Sequence, residues 1–74
     1  MRIFAEKLKE LRLEKELSMF KLSKEIGVGA ATICNWENGK SDIKSEQLII
    51  LAKFFKVTTD YLLGLEDWKK TELN

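Results

Sequence analysis

Leu17-Ser18-Met19-Phe20-Lys21-Leu22-Ser23-Lys24-Glu25-Ile26-Gly27-Val28-Gly29-Ala30-Ala31-Thr32-Ile33-Cys34-Asn35-Trp36-Glu37-Asn38-Gly39-Lys40 is the stretch whose reading decides the fold. Ser18 stands where an N-cap belongs, its side-chain oxygen able to accept from an otherwise orphan backbone N–H. A short helix over residues 19–26 follows, and Gly27 ends it, because a left-handed residue is cheapest without a Cβ. Only Val28 and Gly29 then intervene before a second short helix over residues 30–38, which Gly39 ends in the same way.

Two short helices joined by a tight, glycine-containing turn form a helix-turn-helix unit. Where such helices cross, the backbones come close, and Ser23 supplies the small side chain needed there. Leu22 and Ile26 anchor the first of the pair on a core, and Ile33 and Trp36 anchor the second.

Outward from this unit, Phe4, Leu8 and Leu11 recur at helical spacing, which predicts a preceding helix over residues 3–16 with Glu6, Lys7, Lys9 and Glu10 on its wet face. Residues 40–44 read as a loop. A fourth helix begins at Lys44 or Ser45 and runs through Phe55 on a stripe of Leu48, Leu51, Ala52 and Phe55. Thr58 is placed to cap a short fifth helix over residues 59–63, stopped by Gly64. The expected fold class is therefore all-α, a five-helix domain over residues 1–66 followed by a polar tail over 67–74. Four glycines and no proline agree with uninterrupted helices.

Composition narrows the function classes. Hydrophobic residues make up 45% of the 74 and charged residues 34%, the profile of a globular chain. A domain of this size buries only about 60% of the surface its unfolded chain exposes. No apolar run approaches the roughly 20 residues that span a bilayer, so no membrane partner is expected. The charged start, Arg2 and Glu6-Lys7, does not suit a signal peptide, and a cytoplasmic address is the expectation. A single cysteine, Cys34, has no internal disulfide partner, and there is no histidine. No metal or other cofactor is expected, and the scattered carboxylates read as solvated faces rather than an active site, so the chain is not expected to be an enzyme. A net charge of +1 leaves any nucleic-acid role to the distribution of charge rather than its total.

The stretch Leu17-Ser18, Leu22, Ile26-Gly27-Val28, Thr32-Ile33 and Trp36-Glu37-Asn38-Gly39-Lys40 resembles the Cro/C1-type (XRE-like) helix-turn-helix family of phage and bacterial repressors. The similarity continues through Leu48, Leu51-Ala52-Lys53-Phe54-Phe55, Val57 and Asp60-Tyr61-Leu62-Leu63-Gly64, covering roughly residues 3 to 66. It implies a lambda-repressor-like five-helix fold with residues 30–38 as the helix that enters the major groove, and an ion pair between Arg12 and Glu37. The family usually carries glutamine where this chain has Met19, and polar residues where it has Phe20 and Gly29-Ala30-Ala31.

On a helical wheel Ile33, Trp36 and Glu37 face inward, leaving Gly29, Ala30, Ala31, Cys34, Asn35 and Asn38 outward with no charge and little bulk. Gly29, Ala30, Ala31, Cys34 and Asn35 are the candidate base-reading positions on double-stranded DNA. Asn35 can bond adenine N6 and N7 together, and the alanine methyls can rest on thymine methyls. The candidate phosphate contacts are Lys21, Lys24, Thr32, Asn38, Lys40 and Lys44. Cys34 reads as a small neutral side chain.

One such unit touches few base pairs, so a homodimer on a palindromic operator is expected, with Ile50, Phe54, Leu65 and Trp68 as the self-complementary patch. From the length, no ligand-sensing second domain is expected, and control is expected through abundance, a partner or competition for DNA. A sequence-specific regulator, a repressor of phage or prophage origin, is the expected function. The alternative is a protein-interaction module on the same fold, an antitoxin-like or anti-repressor-binding subunit that meets a protein partner through Met19, Phe20 and the uncharged helix.

Overall fold

The computed structural model describes residues 2–65, in which helix α1 spans Arg2–Glu14, α2 Met19–Ile26, α3 Ala30–Glu37, α4 Ser45–Phe55 and α5 Thr59–Leu62. No strand occurs among the described residues. Helix α1 lies against α3 and α5, α2 against α3 and α4, and α4 against α5, so that each helix turns one apolar stripe to a common centre. That centre holds Phe4, Leu8 and Leu11 of α1, Leu22 of α2, Ile33 and Trp36 of α3, and Leu51, Ala52 and Phe55 of α4, closed off by Val57, Tyr61 and Leu62.

The expected caps form. Ser18 Oγ accepts from Lys21 N–H at 3.0 Å and Thr58 Oγ1 from Tyr61 N–H at 2.9 Å. At the start of α4, Gln47 Oε1 accepts from the N–H of the N-cap residue Lys44 at 3.4 Å. Gly27 takes φ 78° and donates to Ser23 O at 2.9 Å, closing α2 and starting the turn into α3.

Helix α1 ends at Glu14, short of the expected residue 16. Glu16 adopts φ 57°, a left-handed conformation unusual for a residue with a Cβ, and Leu17 N–H then reaches back to Arg12 O at 3.0 Å. Lys56 does the same after α4, with φ 59° and Val57 N–H bonded to Ala52 O at 3.0 Å. Helices α3 and α5 each stop one residue earlier than expected, with Asn38 and Leu63 as caps, and α1 starts one residue sooner.

Gly64 joins two requirements: its φ is +82°, and a Cβ there would lie 2.5 Å from Ile3 Cγ2. Gly64→Ala is therefore expected to lower stability by about 1–2 kcal/mol from the backbone alone, with the displacement of Ile3 added. Urea melts of the two proteins, compared at equal slope, measure this. An unchanged midpoint would show that α5 does not need this approach to α1.

Candidate nucleic-acid interface

The position of α3 is set by one ion pair and two anchors. Arg12 Nε donates to Glu37 Oε2 at 2.7 Å and Arg12 Nη2 to Glu37 Oε1 at 3.0 Å, a fork-on-fork pair whose side chains are 10% and 2% exposed. The third guanidinium nitrogen, Nη1, donates to Leu17 O at 2.7 Å. Arg12 thus ties the end of α1, the α1–α2 connection and the last residue of α3 into one joint. Hydrogen bonding to Glu37 raises the arginine pKa, burial opposes this, and attraction to the Glu37 charge adds to it. The contact to Leu17 has no signal in the sequence, since its acceptor is a backbone carbonyl placed by the left-handed Glu16.

The anchors are Ile33 and Trp36, both buried, with the Trp36 ring edge-on to Phe4 at a centroid distance of 6.3 Å and 70°. On the opposite side of α3, Gly29, Ala31, Asn35 and Asn38 are exposed. Ala30 and Cys34, placed outward by the wheel, are half-buried, as is Thr32; an eight-residue helix seated against α1 and α2 leaves only a narrow strip open. Asn38 Nδ2 reaches Cys34 Sγ at 3.3 Å, so one donor of that amide is turned along the helix. No ionisable side chain stands among the exposed residues of this strip.

The candidate cations flank it. Lys40 is exposed, and its N–H donates to Asn35 O at 2.9 Å across the left-handed Gly39 at φ 72°, which fixes the start of the loop against the C-terminal end of α3. Lys44 is exposed at the N-cap of α4. On α2, Lys21 and Lys24 are exposed, and Lys24 Nζ sits 4.8 Å from the centroid of the Phe20 ring, itself 61% exposed. Ser23, small as the crossing requires, is buried and its hydroxyl donates to Phe20 O at 2.6 Å. Met19 packs against the core, which accounts for a flexible apolar side chain at that position.

Of the expected dimer patch, Ile50 is 43% and Leu65 72% exposed. Phe54 departs from the expectation: it is half-buried, packs on the core, and meets Phe55 edge-on at 5.0 Å and 76°. Ile49, at 47% exposure, is an apolar neighbour the helical stripe did not single out. Trp68 lies outside the described residues. Among the described residues no helix is long and apolar enough to cross a membrane.

Over residues 8–62 the chain matches a family model described as helix-turn-helix. It is 41% identical over 64 residues to the HTH-type transcriptional activator BcrR of Enterococcus faecalis, covering 86% of this chain and 31% of that protein. To the cryptic phage CTXphi transcriptional repressor RstR of Vibrio cholerae it is 36% identical over 55 residues, 74% of this chain and 50% of the repressor. To the HTH-type transcriptional regulator AnsR of Bacillus subtilis it is 35% identical over 66 residues, 89% of this chain and 57% of the regulator. The chain therefore spans between about a third and somewhat over half of the length of these curated relatives.

Proposed function

The chain belongs to the Cro/C1-type helix-turn-helix family, and from that premise we propose that it is a sequence-specific transcription regulator that binds double-stranded DNA as a homodimer, reading the major groove with α3. The observation that carries this is the asymmetry of α3. One side is fixed by Ile33, Trp36 and the Arg12–Glu37 fork, and the other presents Gly29, Ala31, Asn35 and Asn38 with nothing of the described chain over them. A rigid helix with an open polar strip is what base-edge reading needs.

Asn35 is the specificity residue of this proposal, with Gly29, Ala30, Ala31 and Cys34 allowing close approach over A·T pairs. Lys40 and Lys44 beyond α3, and Lys21 and Lys24 on α2, meet phosphates, with Thr32 and Asn38 as uncharged partners. The repressing output is the simpler one physically, because occupancy of a promoter excludes polymerase without further contacts, and relatives carry both signs of regulation in their names. A two-fold pair joined through Ile50, Leu65 and the outer edge of Phe54 brings two α3 helices to successive major grooves about 34–36 Å apart.

Selection of bound duplexes from a random pool tests the reading: a palindrome with A·T pairs in each half is expected, and no enrichment would overturn it. On the selected site, Asn35→Ala is expected to cost about 1–3 kcal/mol and to relax preference at one base pair per half-site. Lys40→Ala is expected to weaken all sequences alike and to lower the salt slope by about 1. Alanine at Ile50 together with Phe54 is expected to shift sedimentation toward the monomer and to lower operator affinity. Sedimentation identical to the parent protein would remove this surface from the dimer.

A second reading has one observation in its favour, the exposed ring of Phe20 beside Met19 at the start of α2. It makes this surface a protein contact. Association through it would be insensitive to salt, whereas duplex binding weakens steeply as salt rises.

A further inference from the structure

The first turns of α1 lie across a recess from the end of α3. Arg2, Ala5 and Glu6 line one wall and Glu37, Asn38 and Gly39 the other, around about 460 Å³. Its polar groups differ in what they leave open. Both Glu37 oxygens are bonded to Arg12 and that side chain is 2% exposed, so its charge is already matched. The carbonyls at the end of α3 are matched too. Cys34 O accepts from Asn38 N–H, Trp36 O from Gly39 N–H and Asn35 O from Lys40 N–H, which mutes the negative end of the helix. Arg2 is different. Its side chain is 89% exposed and meets Glu6 at 3.6 Å, an i,i+4 pair in open solvent that is held only weakly.

Asn38 belongs both to this recess and to the exposed strip of α3. One hydrogen of its amide is turned to Cys34 Sγ, and the amide carries a second. A guanidinium and a carboxamide on opposite walls are donors for a phosphate, and the fork of an arginine matches two oxygens of one phosphate. We propose that Arg2 and Asn38 together take a backbone phosphate of the DNA strand that passes the end of α3, the Arg2 fork exchanging the Glu6 carboxylate for the phosphate as the duplex arrives. This rests on the reading of α3 as the helix in the major groove, and it adds a contact from α1 to those of α2, α3 and the loop that follows. Ala5 offers only a methyl group to the recess and keeps the approach open. Glu6 is the competitor: it holds Arg2 in the free protein and is displaced on binding. The contact is to the strand and not to base edges, so it strengthens binding without regard to sequence.

Binding to the selected duplex across a range of salt, by the parent chain and by Arg2→Gln, Glu6→Gln and the double variant, tests this. Arg2→Gln is expected to weaken binding several-fold on every sequence and to lower the salt slope by about 1 per subunit, with helical content preserved. Glu6→Gln is expected to tighten binding several-fold, and to do so only while Arg2 is present. An Arg2→Gln slope equal to the parent's overturns the proposal. So does an equal gain from Glu6→Gln in both backgrounds, which would make Glu6 a general repulsive charge with no hold on Arg2. If the parent chain binds no duplex at any salt, the regulator reading falls and this contact with it. A parent that binds while Arg2→Gln changes nothing removes this contact alone.

Discussion

Glu37→Ala is expected to lower the unfolding free energy by about 3–5 kcal/mol, the range for removing one partner of a buried ion pair. Most of that cost comes from stranding a buried charge, and less from forfeiting the attraction itself. Arg12 is buried, cannot shed its proton, and would keep only the Leu17 carbonyl as an acceptor. In a domain of 60–100 residues each kcal/mol moves the melting temperature by about 4–8 °C, so thermal unfolding followed by circular dichroism reads the change easily. A melting temperature equal to that of the parent protein would mean that the joint bears no stability. Replacing both residues together, Arg12→Met with Glu37→Leu, is expected to cost much less than either single change, because no buried charge is then orphaned. The pH behaviour follows from the direction of the arginine shift. A cation whose folded pKa is raised contributes stability fully below its ordinary value and loses it only as pH climbs through the folded value. The Arg12 contribution is therefore constant through the neutral and mildly alkaline range.

The double change also separates stability from reading. If the pair acts only as a stabiliser, the Met–Leu protein binds duplex as the parent does. If it orients α3, affinity falls while the melting temperature holds. The fork, with three donors joining three different segments, fits the orienting role better than a hydrophobic contact, which lacks direction.

Periodicity and turn chemistry make most of this fold legible in the sequence. Ser18, Thr58, Gly27 and Gly39 announce helix ends because their side chains, or lack of one, act locally, and each takes the role its type implies. The end of α1 is hidden for the converse reason: Glu16 turns left-handed with no residue preference to advertise it, held by tertiary contacts around Arg12 and Leu17. Phe54 escapes the pattern because the stripe of a straight helix does not show how far a neighbouring ring can lean back; edge-on packing with Phe55 draws it partly inward. The open strip of α3 is legible to within its margins, at Ala30 and Cys34, where exposure is decided by the neighbours α1 and α2 rather than by the wheel. Arg12 with Glu37 is different again. Their separation along the chain carries no local signal, and only likeness to a family points to the pair.

Trp36→Ala is expected to cost about 3–5 kcal/mol, as for other fully buried aromatic truncations, which places it beside the ion pair among the most damaging changes in the domain. Trp36 fills the space between α3 and α1, edge-on to Phe4, and is 2% exposed. Its removal takes away apolar burial and opens a cavity that the short α3 can close only by shifting. Such a shift would move Asn35, its neighbour in sequence on the open strip, so the folded fraction of the variant is expected to bind the selected duplex more weakly although Trp36 itself reaches no base. Trp36→Phe keeps an aromatic edge for Phe4 and is expected to retain most of the stability. A double-mutant cycle between Phe4 and Trp36 should return a coupling of about 0.5–1.5 kcal/mol from the ring pair alone. Should Trp36→Ala lose stability as expected and yet bind duplex, per folded molecule, as tightly as the parent protein, α3 would be held by Ile33 and the Arg12–Glu37 joint without help from the ring. The tryptophan would then act on the core alone.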